Sequence, residues 1–155
     1  MPAIFLGLGS NLGDREGLIK AAVSLVGERV GPVMSLSSFY EYEAWGFVSD
    51  NVFVNAAAKV ETALEPAGVL ARVKEIEREL GRKKRLAAGY EDRPIDIDIL
   101  FYGDRIVSLP DLTVPHPLML SRRFVLEPLA EIAPGFVHPV AKRTVAELLR
   151  DMPGQ

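Results

Sequence analysis

The sequence predicts an α+β fold of the ferredoxin-like kind: a βαββαβ antiparallel sheet with its helices on one face, followed by a C-terminal extension. Three observations predict it: the order in which strand-like and helix-like patterns alternate, a length that suits one core, and an ordinary globular composition. The 155 residues are about one domain's worth, so a single domain over 1–155 is expected. With 48% hydrophobic and 25% charged residues, neither disorder nor a fibrous repeat fits.

Ala3 to Gly9 is a short apolar run that stops in the turn-rich Gly9-Ser10-Asn11-Leu12-Gly13-Asp14, which suits a buried strand and a loop. Asp14 is placed to cap a helix with Leu18, Ile19, Ala22, Val23 and Val26 at helical spacing, and Gly27 to end it. Val33 to Tyr42 is β-branched, aromatic or serine, and Asn51 to Glu61 alternates apolar with polar residues. Two strands are expected there, joined by Glu43 to Asp50. Pro66 opens a second helix whose stripe is Leu70, Val73, Ile76 and Leu80, and Gly81 stops it. Gly81 to Pro94 is basic and poor in apolar residues, and loops that long are usually functional or mobile.

Ile95, Ile97, Ile99 and Phe101 then alternate with Asp96, Asp98, Leu100 and Tyr102 up to Gly103-Asp104, so a half-buried strand should turn the first set toward the helices. Arg105 to Val107 and Leu112 to Val114 read as short edge strands, and Ser121 to Ile132 as a helix disturbed by Pro128. Thr144-Val145-Ala146-Glu147 is a capping box that opens a last helix.

Charge and motif content narrow the function. Eighteen Lys plus Arg against 21 Asp plus Glu give a net charge of −3, so no global positive field exists to hold nucleic acid or an anionic membrane. Phosphate chemistry must be local. The absence of cysteine excludes disulfides, thiolate metal sites and a cysteine nucleophile, and two histidines cannot build a three-histidine zinc site. The N-terminal apolar run lacks a basic leader and is too short to span a membrane, so a cytoplasmic protein is expected. Gly7-Leu8-Gly9-Ser10-Asn11-Leu12 lacks the third glycine of a dinucleotide fingerprint, and neither a GxxxxGK[ST] phosphate loop nor a GxSxG elbow occurs.

Asp96 and Asp98 are the sharpest feature. Residues two apart on a strand share a face with side chains roughly 7 Å apart, and two carboxylates there repel unless a cation lies between them. Either this is a solvated strand face, or Mg²⁺ ions with carboxylate, phosphate and water ligands satisfy the pair, and the rarity of Asp in strands favours the metal. Arg82, Lys84 or Arg85, and Arg93 lie just upstream, as a solvated loop or as polyphosphate ligands. His116 stands between two prolines with Arg122 and Arg123 following, where an imidazole can donate to phosphate or be incidental. His138 has no polar company in the sequence and no role is assigned to it. Phe53 and Asn55 share a strand face, and an amide beside an aromatic ring can read a planar heterocycle, with Trp45, Phe47 and Phe124 adding aromatic surface; the alternative is that most of these are core. Glu77 neighbours the helical stripe, where it reaches a base or is solvated.

These stretches resemble the 6-hydroxymethyl-7,8-dihydropterin pyrophosphokinase family of folate biosynthesis. The resemblance is carried by Leu6-Gly7-Leu8-Gly9-Ser10-Asn11-Leu12-Gly13-Asp14, Phe53-Val54-Asn55-Ala56-Ala57, Glu75 through Arg82, Arg93-Pro94-Ile95-Asp96-Ile97-Asp98 through Tyr102, Val114-Pro115-His116-Pro117, and Arg122 through Pro134. It implies ATP-dependent diphosphate transfer to the hydroxymethyl group of a reduced pterin, yielding AMP, with two Mg²⁺ ions on Asp96 and Asp98. It also implies that Asn55 reads the pterin edge, Phe124 stacks on its ring, and Phe53 belongs to the same pocket, which Trp45 and Gly46 border. Glu77 would help hold ATP, and Arg82, Arg93, His116 and Arg122 would contact the triphosphate. Many members carry Gly-Pro-Arg where Glu91-Asp92-Arg93 stands here, and an arginine where Lys84 stands, followed here by Arg85. Two other classes remain from the residues alone: a non-enzymatic ferredoxin-like domain binding a small ligand, and a two-metal phosphodiesterase.

Overall fold

In the computed structural model, which describes residues 2–42, 52–81 and 94–153, the glycine-rich first strand β1 (Ala3–Ser10) runs through the middle of the main sheet. It is antiparallel to β4 (Phe53–Glu61) on one side and to β5 (Asp96–Tyr102) on the other. β2 (Val33–Leu36) and β3 (Tyr40–Tyr42) both pair with the far edge of β4. Helix α1 (Arg15–Arg29) connects β1 to β2, and α2 (Pro66–Glu79) connects β4 to β5, which is the βαββαβ order expected.

Strand alternation sorts the core into two layers. Ile4, Leu6 and Leu8 of β1 pack with Val54, Ala56, Ala58 and Val60 of β4 against Ile19, Ala22 and Val26 of α1 and Val69, Val73 and Ile76 of α2. Phe5, Ala57, Leu100 and Phe101 point the other way, onto Met119, onto Val125, Leu126 and Leu129 of α3 (Arg123–Ile132), and onto Val145 at the start of α4 (Val145–Arg150). The C-terminal extension therefore covers one end of the sheet face that α1 and α2 leave open, and the other end carries the polar residues described below. Among the described residues, no helix is long and apolar enough to cross a membrane.

Several local readings are corrected by the structure. Helix α1 passes through Gly27 and ends at Val30; Gly31 is the residue that must be glycine, since a Cβ there would sit 1.8 Å from the Glu61 carbonyl oxygen. The stretch Val33 to Tyr42 is two strands, because Ser37 intervenes. Its hydroxyl accepts the Ala57 N–H at 2.9 Å in place of a regular ladder bond and donates to the Ser38 carbonyl, the competition that short hydroxyl side chains offer to sheet pairing. In β5 the alternation breaks at Leu100: Phe5 opposes Phe101 while Leu6 opposes Ile99, so one extra residue is bulged. Phe101 consequently joins Leu100 in the second layer and stacks edge-on to Phe5 at 6.0 Å, while Tyr102 enters the helix layer. Ile97 and Ile99 face the helices as expected; Phe101 does not.

β6 (Val107–Leu109) and β7 (Leu112–Val114) form a separate hairpin rather than edges of the main sheet, with Arg105 making only an isolated bridge to Tyr102. A short 3₁₀ turn (Met119–Ser121) precedes α3, which runs through Pro128. The Thr144 capping box forms in full, with the Glu147 N–H donating to the Thr144 hydroxyl and the Thr144 N–H to the Glu147 carboxylate.

Candidate active site

The register places the predicted residues in rows across the uncovered end of the sheet. Gly9 is paired with Asp96 on one side and Asn55 on the other, and Asn55 in turn with Tyr40. One step along, Gly7 lies between Asp98 and Ala57. Directly paired residues share a face, and adjacent strands are about 4.8 Å apart, so Asp96 and Asn55 rise from the same surface about 10 Å apart with only a glycine between them. The result is a trough with carboxylates on one wall, an amide on the other and a floor without side chains. The floor is sterically enforced at one position. A Cβ on Gly9 would stand 2.8 Å from the Asn55 amide nitrogen, whereas one on Gly7 would make an ordinary 3.5 Å contact with Leu100.

Asn55 is 8% exposed and its Oδ1 is buried without a hydrogen-bond partner among the described residues. An unpaired buried carbonyl of this kind costs roughly 1–3 kcal/mol. Phe53 follows on the same face, opposite Tyr42.

Three contacts hold the carboxylate wall. Glu77, buried on α2, accepts the Ile97 N–H at 2.8 Å, so it caps the outer edge of β5 between the two aspartates. The His116 N–H donates to the Leu100 carbonyl at 3.1 Å, which docks the segment after the cis Val114–Pro115 peptide against the same edge. That brings the His116 Nε2 to 3.8 Å from Asp98 Oδ1, while its Nδ1 accepts the Leu118 N–H at 3.2 Å. With Nδ1 an acceptor, the neutral ring carries its proton on Nε2, facing the aspartate. Burial, together with the nearby Arg122 cation, pushes the His116 pKa below the usual imidazole value, and Asp96 opposes this.

Arg122 is nearly buried, and its guanidinium lies 5.5 Å from the centre of the Phe124 ring. Phe124 in turn lies 6.3 Å from Tyr42. The fold thus gathers Asp96, Asp98, His116, Arg122, Phe124, Phe53 and Asn55 around one sheet end, with Glu77 behind the strand. Trp45, Gly46, Arg82, Lys84, Arg85 and Arg93 lie outside the described residues.

Sequence reasoning passed over the contacts that fasten α3 to the sheet. The Tyr40 hydroxyl donates to Glu131 at 2.7 Å, and the Tyr42 hydroxyl donates to Glu127. The signal was present in the spacing: carboxylates four apart on a helix rise about 6 Å, and tyrosines two apart on a strand about 6.7 Å, so the two rungs match. Arg15 was also passed over; its guanidinium donates to the Val52 carbonyl at 2.6 Å and so holds the entry to β4 just before Phe53.

The family model for 7,8-dihydro-6-hydroxymethylpterin-pyrophosphokinase matches residues 5–134, a span that includes every residue of the trough. The chain belongs to this pyrophosphokinase family. It is 47% identical over 143 residues to the 2-amino-4-hydroxy-6-hydroxymethyldihydropteridine pyrophosphokinase of Porphyromonas gingivalis, covering 91% of this chain and 97% of that protein. It is 40% identical over 147 residues to the protein of that name from Aquifex aeolicus, covering 95% and 90%. The folic acid synthesis protein fol1 of Pneumocystis carinii is 40% identical over 93% of this chain, which spans 19% of that longer protein. The wild-type Plasmodium falciparum HPPK-DHPS structure with pteroate superposes over 96% of this chain and 42% of its own, with a TM-score of 0.77 and 18% identity. The solved neighbours therefore speak for the fold, and the pyrophosphokinase family for the lineage.

Proposed function

We propose that this protein transfers diphosphate from ATP to the hydroxymethyl group of 6-hydroxymethyl-7,8-dihydropterin, giving AMP and the pterin diphosphate, a step of folate biosynthesis. The observation that carries the reading is the row Asp96, Gly9, Asn55. It sets an anionic wall about 10 Å from an amide whose oxygen has no partner among the described residues, on one surface. A heterocycle with hydrogen-bonding edges and an attached hydroxymethyl group fits such a span: its ring lies toward Asn55, Phe53 and Phe124, and its hydroxyl toward the aspartates.

In the transfer, the pterin hydroxyl oxygen forms a bond to the β-phosphorus of ATP, the bond between that phosphorus and the oxygen bridging to the α-phosphate breaks, and AMP leaves while the hydroxyl gives up its proton. No protein nucleophile is needed, so the work of the chain is positioning and charge neutralisation. Asn55 orients the ring through its edge and Phe124 through its face. Arg82, Arg93, Arg122 and either Lys84 or Arg85 neutralise triphosphate charge, and the Nε2–H of His116 points a donor to the same wall. Glu77 holds Ile97, and with it the separation of Asp96 and Asp98, beside the ATP that it helps to place.

Asp96 and Asp98 suit two Mg²⁺ ions. Mg²⁺ is typically held by one or two carboxylates together with phosphate oxygens and water, and the described residues supply two carboxylates on one face and no group of three or more candidate ligands. When bound, Mg²⁺ supplies charge neutralisation of the phosphates and acidification of the attacking alcohol.

Incubation with Mg²⁺-ATP and 6-hydroxymethyl-7,8-dihydropterin, followed by product analysis, tests the reading. The expected result is AMP and pterin diphosphate in equal amounts. ATP hydrolysis that ignores the pterin would instead mark a two-metal phosphodiesterase, and binding without turnover a regulatory domain.

A further inference from the structure

Tyr42 occupies a junction between the sheet and the first turn of α3. It is paired with Phe53 across β3 and β4, stacks nearly parallel to Tyr40 at 6.3 Å and 13°, and packs against Phe124 at 6.3 Å and 57°. Its hydroxyl donates to Glu127, which follows Phe124 by three residues and so lies on the same side of the helix. Burial and the adjacent carboxylate push the Tyr42 phenol well above its usual range, so it remains a donor.

The neighbouring rung is built differently. Glu131 accepts the Tyr40 hydroxyl, the Ser38 N–H at 2.9 Å and the Ser38 hydroxyl at 3.1 Å, a cluster that docks α3 without help from Tyr42. Pro128 brings no N–H to the Phe124 carbonyl, so the turn that carries Phe124 lacks one of its own hydrogen bonds. Tyr42 touches that turn twice, once at the Phe124 ring and once at Glu127.

We propose that Tyr42, through Glu127 and the Phe124 ring, is a positioning residue that sets the aromatic wall for the bound pterin. The inference rests on the pterin reading above. It separates the two rungs by role: Tyr40 with Glu131 docks the helix, and Tyr42 with Glu127 sets the orientation of Phe124 on the side of the trough that carries Phe53 and Asn55.

Steady-state kinetics on the full chain with each substrate varied in turn, together with thermal melting, test it. Tyr42→Phe and Glu127→Ala should raise the KM for the pterin about tenfold while the KM for ATP stays within about twofold and kcat within about threefold, the pattern of lost ground-state positioning. Glu127→Gln keeps an acceptor for the phenol and should restore the pterin KM to within about threefold of the original. Tyr40→Phe should lower Tm without a pterin-selective change in KM. Equal changes in both KM values, no change in either, or failure of Glu127→Gln to restore the pterin KM would each overturn the inference. A parent chain that forms no AMP in the presence of the pterin would overturn the functional reading itself, an outcome visible before any variant is compared.

Discussion

Gly9 lies directly opposite Asn55 in the β1–β4 ladder, so close that a Cβ at position 9 would stand 2.8 Å from the amide nitrogen. Two heavy atoms do not tolerate that separation without a hydrogen bond, so Gly9→Ala must displace the amide. The expected outcome is a rise of about tenfold or more in the pterin KM, with the ATP KM little changed. Gly7→Ala meets only Leu100 at 3.5 Å and serves as the matched control, with both KM values within about twofold. Substrate titrations on the two variants check this, and equal behaviour would remove the steric argument.

If Asp96 and Asp98 hold Mg²⁺ as proposed, Asp96→Ala and Asp98→Ala should each lower kcat at least about 100-fold at saturating Mg²⁺, since each would remove an oxygen ligand from a site that works by charge neutralisation. Both carboxylates are only half-buried, and relief of their mutual repulsion offsets the contacts each substitution removes, the His116 contact of Asp98 among them, so Tm should change little. Activity assays paired with thermal melts decide the point: a variant that melts normally and turns over normally is incompatible with metal binding there.

The rows of the trough were legible because a strand's period of two is visible in the residues themselves: Asp-Ile-Asp and Phe-Val-Asn each present their first and third residues on one face. The helices were legible for the same reason at a period of 3.6. What the sequence did not disclose depends on register and distance. The bulge at Leu100 turns Phe101 away from the helix layer, and no local pattern announces it, because Leu100, Phe101 and Tyr102 all bury well in either direction. Gly27 and Gly31 are equally good helix terminators by composition, and only contact with Glu61 distinguishes them. The helical spacing shows Glu77 beside the apolar stripe, but its role as an edge cap for β5 needs the neighbouring strand to be present. His138 has no polar neighbour in the sequence pattern, and the two N–H groups it accepts come from the backbone that follows it, which no side-chain pattern shows.

Glu77→Ala would leave the Ile97 N–H buried and unpaired, a cost of roughly 1–3 kcal/mol, whereas Glu77→Gln retains a carbonyl acceptor and should cost less. Because Ile97 sits between the aspartates, the alanine variant should also lower kcat, and the glutamine variant should recover most of the stability. Urea denaturation alongside activity measurements checks both halves. Equal destabilisation by alanine and glutamine would show that the carboxylate charge, rather than the capped N–H, is what matters.

The buried His138 gives stability a dependence on pH. Its Nδ1 accepts the Val140 N–H at 3.1 Å and the Ala141 N–H at 3.0 Å, and its ring packs edge-on to Phe101 at 5.5 Å. A protonated ring has no lone pair for those two donors, and burial by itself holds the folded-state pKa below the ordinary 6.5. The unfolded chain therefore binds more protons than the folded one once pH falls below about 6.5, and stability must decline in that direction. It is fully present above 6.5 and is lost as pH drops toward the lowered folded value. Glu131, whose pKa is lowered by the Tyr40 and Ser38 hydrogen bonds, contributes with the same sign but in a separate window, below 4.5. His116, the only other histidine, is also lowered and adds to the upper window. His138→Asn offers an uncharged acceptor to the same backbone amides, so it should reduce the loss of stability between pH 7.5 and 5 while leaving the share due to His116. Urea melts at a series of pH values on the parent and the variant measure the difference in slope. Identical slopes would mean that the His138 ring accepts a proton in the folded chain as easily as in the unfolded one, and that the two N–H contacts do not hold it neutral.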